Sequence, residues 1–138
     1  MNERCEILIV DDEPIVGDRL KSFLTRDGHQ VESFTDPGAA LARLDDKNFD
    51  ILISDIRMGD IDGIQIMEQV LEKRLPIKVI MITGYATMEL ARESMTKGAF
   101  DFIAKPFKLK EIRHTIQQAV SSLAKERRPA AATAAASS

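Results

Sequence analysis

Five side chains that can take part in chemistry stand at the ends of short apolar runs, or just beyond them: Asp11, Asp12, Asp55, Thr83 and Lys105. Carboxylates held close together repel one another, by about 4 kcal/mol per pair at ~4 Å and an effective dielectric near ~20. A divalent cation removes that cost, and a site made only of oxygen ligands suits Mg2+. An ammonium adds a second counter-charge, and a hydroxyl can bind an anion. The set therefore predicts phosphoryl transfer onto an aspartate, which depends chiefly on positioning and charge neutralisation.

The apolar runs that precede these side chains are predicted to be strands. Residues 7–10, 51–53, 79–82 and 100–103 form short continuous runs rich in β-branched or aromatic types, as buried strands do. A weaker run, 30–34, has one polar face and suits an edge strand. Stretches with helical spacing lie between the runs. This β-α alternation, repeated five times, predicts a doubly wound α/β fold with a parallel sheet.

In such a sheet the carboxyl ends of the strands form one edge, and function gathers there. We therefore expect the five side chains to share a shallow pocket. The helix ends are also marked in the sequence: Asp36 is predicted to cap a helix that starts at Pro37, and Gly28 and Gly98 stand where helices should stop. Asp11 and Asp12 could instead merely cap the helix that begins near Pro14.

The composition is that of one ordinary globular domain. The chain has 138 residues, and 22 acids against 19 bases give a net charge of -3, which argues against a nucleic-acid surface. The single cysteine, Cys5, excludes an internal disulfide and fits a reducing compartment. The sequence has no apolar run near the roughly 20 residues of a membrane span and no secretory signal. We expect a cytoplasmic protein that binds neither membrane nor nucleic acid.

Four motifs, in this order and at these intervals, resemble those of the response-regulator receiver family of two-component signalling: Asp11-Asp12, Asp55-Ile-Arg-Met-Gly-Asp-Ile-Asp62-Gly63, Thr83-Gly-Tyr-Ala and Lys105-Pro106-Phe107. The resemblance covers residues 7–123. It implies a flavodoxin-like five-stranded parallel sheet of strand order 2-1-3-4-5 in a single domain, residues 1–124. Residues 125–138 are rich in alanine and serine, and we expect a disordered tail or a linker remnant there.

The resemblance also implies roles for individual residues. Asp55 is the expected phosphoacceptor, and Thr83 and Lys105 are expected to contact the phosphoryl group. The expected Mg2+ ligands are Asp11, Asp12, Asp55 and the backbone carbonyl of Arg57. Asp60 and Asp62 are predicted to be loop and cap residues, with Gly63 required for backbone shape.

The family's switch is expected to involve Thr83 and Phe102. Phe102 stands where the family often has tyrosine, so switching should work by ring packing. Gly59 stands where the family usually has proline, which predicts a looser loop after Asp55. The peptide bond between Lys105 and Pro106 is expected to be cis.

The expected phosphoryl donor is a phosphohistidine on a sensor histidine kinase, because the chain has no nucleotide-binding loop. Phosphorylation should alter the surface formed by the helix near residues 86–95, the fifth strand and the last helix. A downstream protein, a missing output domain or a second copy of the chain would bind there. Such a domain phosphorylates itself and slowly loses the group, and is not an enzyme in the usual sense. The stretches from Thr83 to Thr87 and from Phe100 to Phe102 resemble receivers of enhancer-binding transcription activators.

Two other functions are compatible with parts of the sequence. Asp60-Ile-Asp62-Gly63 resembles the signature of an aspartate-nucleophile phosphatase of the haloacid dehalogenase type, although it does not directly follow a strand. A pseudo-receiver that only binds a partner is the other alternative. The sequence does not decide between a stand-alone and an excised receiver. It also leaves open the kinase, the regulated process, the oligomeric state and the lifetime of the phosphoryl group.

Overall fold

A computed structural model describes residues 4–58, 61–73 and 76–137, with side-chain environments up to residue 126. Strands and helices alternate along it, and a single 3-10 turn, Tyr85–Thr87, precedes the fourth helix. The elements in chain order are β1 Glu6–Val10, α1 Pro14–Arg26, β2 Gln30–Phe34, α2 Pro37–Asp46, β3 Ile51–Asp55, α3 Gly63–Glu72, β4 Lys78–Thr83, α4 Met88–Thr96, β5 Asp101–Ala104 and α5 Leu109–Ser137.

The five strands form one parallel sheet in the order β2-β1-β3-β4-β5. This confirms both the predicted fold class and the predicted strand order. β3 is buried at every residue, as expected for a strand with neighbours on both sides and helices on both faces. β2, which carries the polar residues Gln30, Glu32 and Ser33, is partly exposed along its length and forms one edge of the sheet.

Two apolar clusters cover the two faces of the sheet. Alternate residues of a strand point to opposite faces, so Leu8 packs under α2 and α3 while its neighbour Ile9 packs under α1 and α5. Both side chains are fully buried, and burial of a side chain of this size contributes about 1.5–3 kcal/mol. The two layers hold the sheet rigid, and its strand ends are thereby fixed in space.

The helix ends follow the predicted signals. The Asp36 carboxylate accepts a hydrogen bond from the backbone of Ala39, with Pro37 in the first turn of α2. Gly28 and Gly98 adopt φ of 97° and 118° where α1 and α4 end, a backbone conformation that suits glycine. These caps confirm the predicted positions.

The last helix, α5, has helical backbone as far as Ser137. Alanine has the highest helix propensity, which favours helical backbone there. The expectation of a disordered tail or linker remnant over residues 125–138 stays a prediction. The domain boundary near residue 124 stays a prediction, and Ser138 lies outside the described residues. In the described part of the chain, a helix with the length and apolar character needed to cross a membrane is not found.

Candidate functional site

The carboxyl ends of the parallel strands bring together three of the side chains singled out in the sequence. Asp11 follows β1, Asp55 ends β3, and Lys105 follows β5. The ammonium nitrogen Nζ of Lys105 lies 3.2 Å from Oδ2 of Asp11 and 3.2 Å from Oδ2 of Asp55. The expected convergence is therefore found for these three side chains, whose roles stay predictions.

An acidic cluster surrounds this ammonium. One carboxylate oxygen from each of Asp11, Asp12, Glu13 and Asp55 lies within 4.8 Å of the others, a spacing that could hold a metal ion. Glu13 was not among the predicted ligands. Its position directly after the acidic pair was the available signal, but sequence alone does not show whether its longer side chain turns toward the strand ends. In the structure its Oε1 lies 3.0 Å from Nζ of Lys105.

Asp11 is the most deeply buried carboxylate of the cluster. Its side chain is buried, and Oδ1 accepts a hydrogen bond from the backbone of Glu13 at 2.9 Å. Oδ2 is the buried side-chain atom without hydrogen-bond geometry to any partner in the described residues, although Lys105 is near enough for an ion pair. Burial raises the pKa of the Asp11 carboxyl, and the charge of Asp55 adds to this against the opposing effects of Glu13 and Lys105.

The observation that bears on Mg2+ is that Oδ2 of Asp11 has no hydrogen bond and shares the single ammonium of Lys105 with two other carboxylates. A buried carboxylate oxygen without a hydrogen bond is costly unless a cation satisfies it. The neighbouring carboxylates supply the hard oxygen ligands that Mg2+ prefers. The residues present therefore fit a magnesium ion, and Asp11, Asp12 and Asp55 are the ones that could hold it.

The backbone of Lys105, just after β5, is held by the neighbouring strand β4. Its backbone N–H donates to the carbonyl of Thr83 at 2.7 Å, and the bond to Pro106 is cis, as predicted. Burial lowers the pKa of its ammonium, but the hydrogen bond to Glu13 and the charges of Asp55 and Asp11 outweigh burial, so the pKa is raised. The side chain therefore remains a cation at any physiological pH.

The Asp55 backbone is packed closely against the start of α3. A β-carbon on Gly63 would lie 2.3 Å from the Asp55 carbonyl oxygen and 2.9 Å from the Ser54 hydroxyl. Gly63 also donates its N–H to the carbonyl of Ile56 at 2.6 Å. The sequence assigned Gly63 to backbone shape, whereas the structure shows that close approach to Asp55 is the reason for glycine here.

Thr83 points its hydroxyl toward the start of α4. Its Oγ1 lies 2.5 Å from Oγ1 of Thr87 and donates to the carbonyl of Gly84 at 3.1 Å. Both threonines are buried. Thr87 was not among the predicted site residues, because a threonine four positions further along has no chemical signature of its own.

Phe102 is half-buried and packs against the apolar cluster under α2 and α3. It borders an open cavity of about 430 Å³ between β5 and α5, lined also by Lys110, His114 and Thr115. This is the neighbourhood of the predicted switch surface. A side chain that is only half-buried beside such a space has room to change its packing.

The remaining predicted residues lie in the loop after Asp55. Arg57 has an exposed side chain, and a ligand role for its carbonyl stays a prediction. Gly59 and Asp60 lie outside the described residues. The Asp62 carboxylate accepts a hydrogen bond from the backbone of Gln65 at 2.8 Å in a capping box, which confirms the predicted cap of α3.

Comparison with known proteins gives a consistent result. The protein-family model named response regulator receiver domain matches residues 7–117 of this chain. The DNA-binding transcriptional regulator NtrC of Proteus hauseri is 28% identical over 127 residues, which are 92% of this chain and 27% of that protein. The transcriptional regulatory protein FixJ of Bradyrhizobium diazoefficiens is 32% identical over 120 residues, 87% of this chain and 58% of that protein. The chain thus spans from about a quarter to just over half of these relatives.

Solved structures show the same fold. NtrX from Brucella abortus, in complex with ADP, superposes with a TM-score of 0.87 at 28% identity and covers 93% of this chain and 30% of its own. A CheY-like response regulator receiver domain protein from Methanospirillum hungatei gives a TM-score of 0.84 at 31% identity, covering 90% of this chain and 99% of its own. The fold therefore occurs both within longer regulators and alone.

Proposed function

The chain belongs to the response regulator receiver domain family of two-component systems, and on this premise we propose that Asp55 accepts a phosphoryl group in a Mg2+-dependent reaction. The observation that carries the proposal is the position of Lys105, whose ammonium lies 3.2 Å from the Asp55 carboxylate and 3.2 Å from the Asp11 carboxylate. Lys105 is thus a counter-charge placed beside the proposed nucleophile, and a cation held by the surrounding carboxylates would offset their repulsion of an incoming anion.

The acidic residues and the basic residue of the site have different proposed roles. The proposed ligands of the cation are Asp11, Asp12, Asp55 and the backbone carbonyl of Arg57. When bound, Mg2+ supplies charge neutralisation for the phosphoryl oxygens. Lys105 would supply a second positive charge for the phosphoryl oxygens at Asp55. The Thr83 hydroxyl, once turned from Thr87, is the donor for a further phosphoryl oxygen.

In the proposed reaction one carboxylate oxygen of Asp55 forms a bond to phosphorus as the N–P bond of a phosphohistidine breaks. The departing imidazole nitrogen keeps the electron pair of that bond. The donor is a sensor histidine kinase, as the family implies. Water later attacks the phosphorus, the bond from phosphorus to the Asp55 oxygen breaks, and inorganic phosphate leaves while the carboxylate is restored. The domain is therefore proposed to be a switch with slow self-dephosphorylation.

The signal is proposed to leave through α4, β5 and α5. The added group brings about -1.5 to -2 charge units next to Lys105. It attracts the Thr83 hydroxyl, which in the resting arrangement is bound to Thr87 at the start of α4. Phe102, beside the cavity between β5 and α5, then repacks. An output domain, another protein or a second copy of this chain would bind the altered surface.

The test is phosphorylation by a small donor such as acetyl phosphate, followed by intact mass spectrometry. Asp55→Asn should lower labelling by about 10²-fold or more, because the nucleophilic oxygen is lost. Asp62→Asn is the matched control, since asparagine keeps the cap of α3 and the variant should label normally. Removal of Mg2+ with EDTA should also abolish labelling of the unaltered protein.

Two outcomes would contradict the proposal. Labelling of Asp55→Asn at another residue would remove Asp55 from the reaction. Loss of labelling in Asp62→Asn, with Asp55 intact, would support the phosphatase alternative. A receiver that only binds a partner would show neither labelling nor any effect of Mg2+.

A further inference from the structure

Lys105 is shared by three carboxylates that differ in exposure. The shortest contact is to Glu13, at 3.0 Å, against 3.2 Å for Asp11 and for Asp55. The Glu13 side chain is 65% exposed, whereas those of Asp11 and Asp55 are 0% and 12% exposed. The contact to Glu13 is therefore the one that water can most easily replace, because an exposed ion pair contributes only about 0–1 kcal/mol.

The backbone of Glu13 is fixed, whereas its carboxylate is exposed to solvent apart from the contact to Lys105. Its backbone N–H donates to Oδ1 of Asp11 at 2.9 Å, and α1 begins at the next residue, Pro14. The carboxylate therefore stays within reach of Lys105 in the resting protein. It can also turn to solvent without disturbing the buried acids.

Glu13 acts in opposite directions on the two ions of the proposed reaction. Its negative charge attracts a cation bound by the neighbouring carboxylates. The same charge repels an incoming phosphoryl group. Its hydrogen bond also occupies Lys105, which the phosphoryl group needs as a counter-charge.

We propose, as an extension that rests on the proposed function, that Glu13 is a positioning residue: it holds Lys105 in the resting arrangement and competes with the incoming phosphoryl group for it. Release of Lys105 from Glu13 then accompanies phosphorylation. The side chain of Glu13 sets how readily the resting pocket accepts an anion.

Two variants distinguish the effect of the negative charge of Glu13 from the effect of its contact with Lys105. Glu13→Gln keeps the length of the side chain and removes the charge, whereas Glu13→Asp keeps the charge and shortens the reach to Lys105. The measurements are the Kd of Mg2+ by calorimetry and the Kd of beryllofluoride at saturating Mg2+ by amide NMR. Unchanged amide spectra of the free variants confirm that the fold is intact.

Removal of the charge of Glu13 should change the affinities for Mg2+ and for beryllofluoride in opposite directions. Glu13→Gln should weaken Mg2+ binding by about three- to tenfold and tighten beryllofluoride binding by about threefold, because one charge is removed. Glu13→Asp should leave the Kd of Mg2+ within about twofold and still tighten beryllofluoride binding, because the contact alone is lost. A merely structural role would weaken both.

Other results overturn the inference in ways that can be told apart. Weakening of both ligands by Glu13→Gln would make Glu13 a ligand or a tether for Lys105, and no change in either would make it a plain surface acid. If the unaltered protein binds no beryllofluoride, or binds it equally as Asp55→Asn, the proposed function itself fails, and the inference fails with it.

Discussion

The polar groups at the two ends of the parallel strands differ in how completely their hydrogen bonds and ion pairs are satisfied. At the carboxyl ends, which we call the acid edge (Asp11, Asp12, Glu13, Asp55 and Lys105), one ammonium serves three carboxylates and a buried oxygen lacks a hydrogen bond. At the amino ends, which we call the opposite edge, the polar groups described below each have a partner. Both edges belong to the same rigid sheet.

The opposite edge is held by hydrogen bonds between elements. Asp27, after α1, accepts two hydrogen bonds from the guanidinium of Arg113 in α5, at 2.9 and 3.0 Å. Nδ1 of His29 accepts from the backbone of Cys5 at 3.1 Å. These contacts tie α1 to α5 and to the start of β1. They stabilise the fold and leave no charge for chemistry.

The same residue type behaves differently at the two edges. The pKa of Asp11 is raised, first by burial and then by the charge of Asp55. The pKa of Asp27 is lowered by its hydrogen bonds to Arg113. An acid whose charge costs stability is retained where function requires it, and such strain at a strand end is a physical sign of a functional site.

The largest expected effect concerns the two glycines at these edges. Gly63→Ala should destabilise the fold by about 3 kcal/mol, because the added carbon would meet the backbone oxygen of Asp55, which cannot move away cheaply. Gly28→Ala should cost only about 1–2 kcal/mol, because its φ of 97° is unfavourable but the space around it is open. Urea unfolding of the two variants gives both values.

The acid edge should also lose function with Gly63→Ala, since the shift falls on the backbone of Asp55. Labelling by acetyl phosphate should fall in this variant and remain normal in Gly28→Ala. Equal stability losses, or normal labelling in Gly63→Ala, would show that close packing at Asp55 is not a requirement.

The next effect is a gain in stability from removal of an acid. Asp11→Asn should stabilise the metal-free protein by about 1–2 kcal/mol at neutral pH, because the variant no longer buries a charge beside Asp55. Added Mg2+ should stabilise the unaltered protein and have a much smaller effect on Asp11→Asn. Thermal unfolding with EDTA and with Mg2+ measures both. A loss of stability in EDTA would mean that the pair with Lys105 outweighs burial.

The smallest effect is at the opposite edge. Asp27→Asn should destabilise the fold by about 0.2–1 kcal/mol, because a partly exposed ion pair is lost, and should leave Mg2+ binding unchanged. Its pH dependence sharpens the comparison. The contribution of Asp27 is fully present above the ordinary pKa of 3.8 and is lost as pH falls through its lowered pKa.

Asp11 has the opposite pH window. Because its folded pKa is raised, the cost of its charge is absent near the ordinary value of 3.8 and appears as pH rises through the raised pKa. The gain in unfolding free energy from Asp11→Asn should therefore shrink as the pH falls from neutral to 3.8. The loss of unfolding free energy from Asp27→Asn should persist across that range. Unfolding curves in EDTA over this pH range test both windows, and parallel curves for the two variants would remove the contrast.

The sequence predicted most of the framework. Continuous apolar runs identified β1, β3 and β4 as buried strands, and the polar face of β2 identified it as an edge strand. The fourth run, 100–103, was predicted to be buried as well, but β5 forms the other edge of the sheet and only Ile103 in it is buried. The alternation with helices then required a parallel sheet, so Asp11, Asp55 and Lys105 had to meet. Local signals sufficed at the helix ends as well, since a cap or a positive φ depends on only a few neighbouring residues.

The features that the sequence did not predict share a physical cause. Glu13 and Thr87 contact the predicted site residues Lys105 and Thr83, and the chain order does not show these contacts. Glycine is needed at position 63 because the backbone oxygen of Asp55, eight residues earlier, leaves no space for a side chain.

The sequence by itself determined which chemical groups this protein has and at which strand ends they stand. Only the tertiary structure decided how those groups share their charges: Lys105 contacts Glu13, 92 positions earlier in the chain, while Oδ2 of Asp11 is left without a hydrogen bond. The reason is that strand and helix patterns depend on neighbouring residues, whereas the energy of a charge depends on its burial and on distances of a few ångströms between segments that only folding brings together.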